Sequence, residues 1–264
     1  MPQNIYLSSL VFHNGTILLC GGENNRQKCL QLDHGTWKEH SFLNEKRMAH
    51  SAVATQTASF IFGGYDSNCT YEYLPKDSAT WLIGKTYLPG RFEIGCAIAS
   101  KSGNEIWLFG GLLTEKRILK FDVDKHSFHE MPFQLNVGGA GLRCAFIPNT
   151  EKIMISGDDW LCSTEILDTE LETVTMASQM NCRRYNPGMG AVTINGEETL
   201  AVFGGDDGNS SLDSVEIYNA SKEKWEITNI KLKKPNCGFS FLSVKLSDII
   251  SKGNFEFGMK MMFY

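Results

Sequence analysis

Short apolar runs punctuate the chain at near-regular intervals: TILLC at 16–20, SFIF at 59–62, EIWLF at 105–109, KIMI at 152–155 and LAVF at 200–203. Each run ends on a small pair, Gly21-Gly22, Gly63-Gly64, Gly110-Gly111, Ser156-Gly157 or Gly204-Gly205, and the pairs recur 42 to 48 residues apart. Between them, apolar residues alternate with polar ones or sit in blocks of four to six, the signature of strands, and helical spacing is nearly absent. A large side chain or its substitute follows each pair fifteen to twenty residues on, at Trp37, Trp81, Phe128, Val174 and Trp225. The unit with Ser156 and Val174 departs furthest from the pattern.

A period of this length, built only from short strands, predicts the blade of a β-propeller, a four-stranded antiparallel sheet packed face to face with its neighbours. One blade cannot bury its own faces, so the repeat implies a ring or array. The pattern predicts an all-β propeller with five complete units and a partial C-terminal one. The blades fall at about residues 6–40, 50–82, 95–131, 143–176 and 188–228. In the first unit the four strands, a to d from the axis outward, are expected at Tyr6 to Phe12, Thr16 to Cys20, Cys29 to Leu32 and Trp37 to His40, with an Asn14-Gly15 hairpin turn between a and b. Residues 237–245 (CGFSFLSVK) read as strand a of a further unit, whereas 246–264 contain neither a Gly pair nor a Trp. Either five blades close with the tail as an extra strand, or a six-bladed ring has lost most of one blade.

Antiparallel order decides which loops share a rim. The b-to-c loops and the d-to-a connections between blades emerge together, while the a-to-b and c-to-d turns occupy the other side. The first rim carries the longer and more varied segments, among them GGYDSNCT, GDDWLCST, GGDDGNSSLDS and ASQMNCRRYNPG. Loops held by a rigid scaffold are where binding residues concentrate, so this rim is the candidate binding surface.

The chain resembles the kelch-repeat proteins, whose units carry the diglycine, a Tyr and a Trp at about this spacing. The Tyr position is matched by Tyr73 and Tyr218, less well by Phe121 and Leu167, and ambiguously by Leu32. An Arg before the next innermost strand is matched by Arg47, Arg91 and Arg184, which lie 25 or 27 residues after their pairs. The resemblance covers roughly residues 6–245. It implies a propeller that recognises a protein or peptide, and in some relatives the recognition end of a cullin-based ubiquitin-ligase adaptor. Other relatives bind actin, and some kelch-like propellers are copper oxidases. The Tyr, His and Cys ligands of such an oxidase are not assembled from the positions in this chain.

Composition narrows the classes. A net charge of -5 and a pI near 5.7 speak against a broad nucleic-acid surface. No apolar stretch approaches bilayer-crossing length, and the first residues lack the features of a signal peptide. Of eight cysteines, Cys96, Cys144 and Cys237 fall 32 or 33 residues after their pairs and are expected as buried thiols opening innermost strands. The others show no C-x-x-C spacing, so neither a zinc site nor a redox pair is signalled, and a reducing, cytoplasmic setting is expected.

The candidate chemistry is that of recognition. A residue repeated in register is usually structural, so Arg47, Arg91 and Arg184 are expected to bond loop carbonyls or acidic groups between blades, with partner contact as the alternative. Arg143 and Arg183 lie off that register, where a guanidinium fork would suit a partner's carboxylates or phosphates. Tyr65, Trp160 and Tyr185 are the rings in or beside the longer loops, and each is either an anchor or a core residue. Asp66, Asp159 and Asp207 complete the candidate partner-binding set. The pairs Asp158-Asp159 and Asp206-Asp207 miss the spacing of a calcium loop and read as turn caps. His126 and His129, three apart on a strand, point to opposite faces and suit no shared metal. With no nucleophile or phosphate-loop motif present, the expectation is a non-catalytic interaction module without a cofactor.

Overall fold

The computed structural model describes residues 6–67, 70–89, 95–112, 115–156, 161–194, 196–238 and 240–242. Among these residues there are five four-stranded sheets and no helix, hence none long and apolar enough to cross a membrane. Blade 1 is β1 (Ser9–His13), β2 (Thr16–Cys20), β3 (Lys28–Asp33) and β4 (Thr36–Phe42). Blade 2 is β5 (Ser51–Ala54), β6 (Ala58–Phe62), β7 (Tyr71–Pro75) and β8 (Leu82–Ile83). Blade 3 is β9 (Cys96–Ala99), β10 (Glu105–Phe109), β11 (Ile118–Asp122) and β12 (Ser127–Glu130). Blade 4 is β13 (Arg143–Phe146), β14 (Lys152–Ser156), β15 (Thr164–Asp168) and β16 (Thr173–Met176). Blade 5 is β17 (Gly188–Ile194), β18 (Glu197–Phe203), β19 (Ser214–Asn219) and β20 (Lys224–Lys231).

Within each sheet the strands lie in chain order, each antiparallel to the next. The first strands of successive blades meet around an axis, β1 with β5, β5 with β9, β9 with β13 and β13 with β17. Burial explains the sequence pattern. The second strand of a blade is covered on both faces by neighbouring blades, so β6 is buried along its whole length and reads as an unbroken apolar run. Outer strands such as β8 are exposed and need no such run.

The core is therefore a series of joints between blades. Val11 and Leu18 of blade 1 pack with Ile61, Leu74 and Trp81 of blade 2. Phe60, Phe62 and Tyr71 meet Leu108 and Phe121 in the next joint, Trp107 and Phe109 meet Ile153 and Leu167 in the third, and Met154 meets Leu200, Tyr218 and Trp225 in the fourth. Beyond blade 5, Phe203 stacks on Phe241 at 5.0 Å, in a cluster with Val215 and Leu232. The segment carrying Phe241 lies between blade 5 and blade 1. The Gly238 N–H donates to the Asn186 carbonyl, the Leu7 N–H donates to the Gly238 carbonyl, and the Ser240 hydroxyl donates to the Ser8 carbonyl.

In the first unit β2 spans the expected residues, β3 and β4 run one or two residues beyond theirs, and β1 begins at Ser9, three residues after the expected Tyr6, and ends at His13. Four other details differ. The ring that follows each diglycine sits opposite a fixed partner on the third strand: Leu32 opposite Trp37, Phe121 opposite Phe128, Leu167 opposite Val174, Tyr218 opposite Trp225. In blade 2 that partner position is Leu74 and not Tyr73, because Tyr73 lies opposite Leu82; a slip of one residue moves a side chain to the other face. Ser156 pairs with Arg143 as Phe62 pairs with Ser51, so Ser156 is the last residue of its strand and not the first of a small pair. Cys144 consequently lies one position beyond Cys96 in the repeat, and Cys144 and Cys237 are only partly buried whereas Cys96 is buried. Cys20 and Cys29 oppose each other across β2 and β3 and are joined as a disulfide, a pairing that cysteine spacing did not signal.

Candidate functional site

Backbone hydrogen bonds tie the b-to-c loops and d-to-a connections into one rim. Gly22 N–H donates to the Arg47 carbonyl, Tyr65 N–H to Met48, Gly111 N–H to Gly139, and Tyr185 and Asp206 exchange N–H···O bonds. On the other side, Lys76 N–H reaches Thr57, Val123 N–H reaches Asn104 and Thr169 N–H reaches Glu151, joining a-to-b turns to c-to-d turns. Glycine is required where loop and connection touch: Gly64 has φ +95° and a Cβ there would lie 2.7 Å from the Met48 carbonyl oxygen.

The rim is anchored by buried ion pairs. Arg47 is fully buried and donates through Nε to Glu72 Oε1 at 3.1 Å, through Nη1 to the Gly63 and Thr70 carbonyls at 2.8 and 3.2 Å, and through Nη2 to the Thr70 hydroxyl at 2.8 Å. The other oxygen of Glu72 accepts from Asn44 N–H at 2.7 Å and Asn44 Nδ2 at 2.8 Å. Arg184 repeats the arrangement in blade 5, with Nε on Glu216 at 3.1 Å, Nη1 on the Gly204 carbonyl at 2.6 Å, and Asn181 on the far oxygen of Glu216 at 2.7 and 2.8 Å. Burial pulls Arg47 below the ordinary guanidinium value, with Glu72 and Glu45 opposing that pull. Arg47 and Arg184 are thus structural staples between a connection and the blade beneath it. Arg91 lies outside the described residues.

The acidic partners escaped the sequence reading. Their signal is a hydroxyl two residues earlier, Thr70-x-Glu72, Ser163-x-Glu165 and Ser214-x-Glu216, facing an Asn three residues before the arginine. Blade 4 keeps the acid and loses the base. Glu165 accepts from Asn136 N–H and Nδ2, Val137 N–H and Gly138 N–H at 2.5, 3.1, 3.0 and 3.1 Å, and Gly139 stands three residues after Asn136, where the blade 1–2 and blade 4–5 joints have arginine.

The remaining candidates divide between rim and axis. Asp66 is exposed and ion-paired with Arg26 of the neighbouring blade's loop, beside the partly buried Tyr65. Arg183 is engaged by the Asp207 carbonyl through Nε and Nη2 at 3.1 and 2.7 Å, while the Asp207 carboxylate caps its own loop by accepting from Asn209 and Ser210 N–H at 2.8 and 2.9 Å. Those bonds hold the Asp207 carboxyl below its usual range. Tyr185 leans on the blade 3 to blade 4 connection, where a Cβ at Gly141 would come within 2.5 Å of its ring. Asp159 and Trp160 lie outside the described residues. His126 is in a turn and bonds the Tyr71 hydroxyl through Nδ1 at 2.8 Å, away from His129, whose Nε2 bonds Ser127.

Arg143 sits apart from the rim set, at the axis. It lines a cavity of about 120 Å³ to which the first strands of blades 1 to 5 and the 238–241 segment contribute. By register Arg143 occupies the place of Ser9 and Ser51, whose hydroxyls donate to the His50 and Gly95 carbonyls of the next blade at 2.7 and 2.8 Å. Among the described residues no group of three His, Cys, Asp or Glu is placed to hold a metal ion.

The family model for the Kelch motif matches residues 198–229, the stretch from β18 to β20 of blade 5. Comparison with curated proteins gave no match.

Proposed function

We propose that this chain, a kelch-repeat β-propeller, is a protein-interaction module that grips its partner with the rim formed by the b-to-c loops and d-to-a connections. Such propellers are generally interaction modules. The observation that carries it is the gathering of the longer irregular loops on one rim, fixed by the buried Arg47–Glu72 and Arg184–Glu216 staples. A rigid platform loses little conformational freedom on binding, and its Tyr, Arg and Asp side chains are of the kinds that dominate or orient interfaces. Tyr65 with Asp66 on one side and Arg183, Tyr185 and Asp207 on the other would frame the partner.

The test is proximity labelling in cells with two variants. Tyr65→Ala/Arg183→Ala/Asp207→Ala alters the proposed rim; Lys125→Ala/Lys222→Ala alters the opposite turns. Partners lost with the first variant and kept with the second support the assignment. Partners lost only with the second overturn it. The same labelling decides whether a cullin scaffold or actin is among the partners.

A further inference from the structure

The rim arginines described above are spoken for; Arg143 is not. Among the described residues its one hydrogen bond sends Nη1 to the Leu142 carbonyl at 2.8 Å, and no carboxylate pairs with it. The titratable groups that act on its guanidinium electrostatically are Cys96, Cys144, Tyr185 and Tyr6, none of them a carboxylate. A cation left without a counter-charge at a partly buried site is costly, and native structures rarely leave such a group unmatched.

Two further groups in the same cavity lack partners. His50 is 7 % exposed with neither ring nitrogen hydrogen-bonded, and Asn186 is 2 % exposed with Oδ1 unpartnered. Both line the cavity with Arg143. The charged group that the cavity presents is then the Arg143 guanidinium fork, carrying one positive charge. It matches a planar monoanion better than a dianion, since a fork takes a carboxylate through two parallel bonds. A volume of about 120 Å³ accommodates one small organic group.

We propose that the axial cavity is a carboxylate-binding site, with Arg143 as the ion-pair partner. The carboxylate belongs either to a free small acid or to an acidic side chain that a partner inserts along the axis. Titration calorimetry on the purified chain separates these sources. Acetate represents the free acid, the tripeptide Ac-Gly-Asp-Gly-NH2 represents the inserted side chain, and acetamide and inorganic phosphate serve as the neutral and dianionic controls.

Saturable one-to-one binding of acetate or of the tripeptide is expected, at least tenfold weaker in Arg143→Gln and partly retained in Arg143→Lys, with acetamide inert. Acetate binding alone assigns a free acid; tripeptide binding alone assigns an inserted side chain. No saturable binding of either probe, equal binding by a folded Arg143→Gln chain, or phosphate binding tighter than both probes overturns the proposal. Should Arg143→Gln fail to fold, Arg143→Lys against wild type carries the same comparison. The probes involve no partner protein, so a negative result here leaves the rim test standing.

Discussion

The joint between blades 1 and 2 and the joint between blades 3 and 4 solve one problem in two ways. In the first, Arg47 is buried against Glu72, and four residues later Ser51 faces the axis. In the second, Gly139 replaces the arginine, Glu165 is satisfied by four neutral N–H groups, and four residues later Arg143 faces the axis. The blade 4 to blade 5 joint follows the first pattern, with Arg184 buried and Gly188 at the axis. Each of these three joints carries a guanidinium, but in one of them it has moved from staple to cavity. A buried carboxylate needs hydrogen bonds, and a charge partner is one way of supplying them. Where the backbone itself turns enough N–H groups inward, as 136–138 do, the cation is released for another use.

Removing a staple should produce the largest effect. Arg184→Ala leaves Glu216 buried and unpaired, and urea denaturation should show a loss of about 3–5 kcal/mol. Arg184→Met combined with Glu216→Leu should recover most of it, because the desolvation cost of both charges disappears together. A single-variant loss below about 1 kcal/mol would mean the pair is not a staple.

Acid should separate the joints next. Burial, and secondarily Arg47, push His50 down to about 3, against a weaker opposing pull from the Cys20 backbone. The unfolded chain, with a His near its ordinary value of 6.5, binds that proton more readily than the folded one. Stability from neutral His50 is therefore complete above pH 6.5 and is lost as pH falls toward 3, by up to about 1.4 kcal/mol per pH unit. Burial lowers His13, His40 and His126 in the same direction. Hydrogen exchange at pH 4.5 should show the blade 1 to blade 2 joint opening before the blade 3 to blade 4 joint, where Leu142 precedes the axial residue. His50→Gln should flatten the stability slope between pH 6 and pH 4; an unchanged slope would assign acid sensitivity to the other groups.

Glu165→Gln turns the charge-assisted acceptor of four N–H groups into a neutral one and brings an amide that lacks acceptors. A loss of about 1–3 kcal/mol is expected, smaller than for the stapled acids. The smallest effect belongs to Arg143→Gln. With no buried partner to abandon, its denaturation midpoint should stay within about 0.5 kcal/mol of wild type, although Arg143 and Arg184 are the same residue type at successive joints. A loss matching Arg184→Ala would place Arg143 among the staples.

The residues themselves show how far the chain could be read directly. The apolar runs and diglycines announced the blades because a strand covered on both faces must be apolar, and because loop and connection approach too closely for a Cβ. Antiparallel order alone assigned the long loops to one rim. The structural role of Arg47 and Arg184 was open as one of two readings, since repetition does not say what a guanidinium touches. Tyr73 was misplaced by one residue because an aromatic identity outweighed register, and the Glu72, Glu165 and Glu216 partners went unnoticed because they lie on a different blade segment from their arginines.

Strand identity, the five repeated blades and the sidedness of the loops were thus dictated by local periodicity, which depends only on neighbours along the chain, while closure of the ring was left open. Whether a given arginine is a staple or lines the axis depends on which carboxylate lies within hydrogen-bond reach. That distance exists only once residues roughly 25 to 32 apart, as in Arg47–Glu72 and Arg184–Glu216, have been brought together by packed sheets. The same packing gathered Arg143 of β13 and His50 and Asn186 of two connections around one cavity.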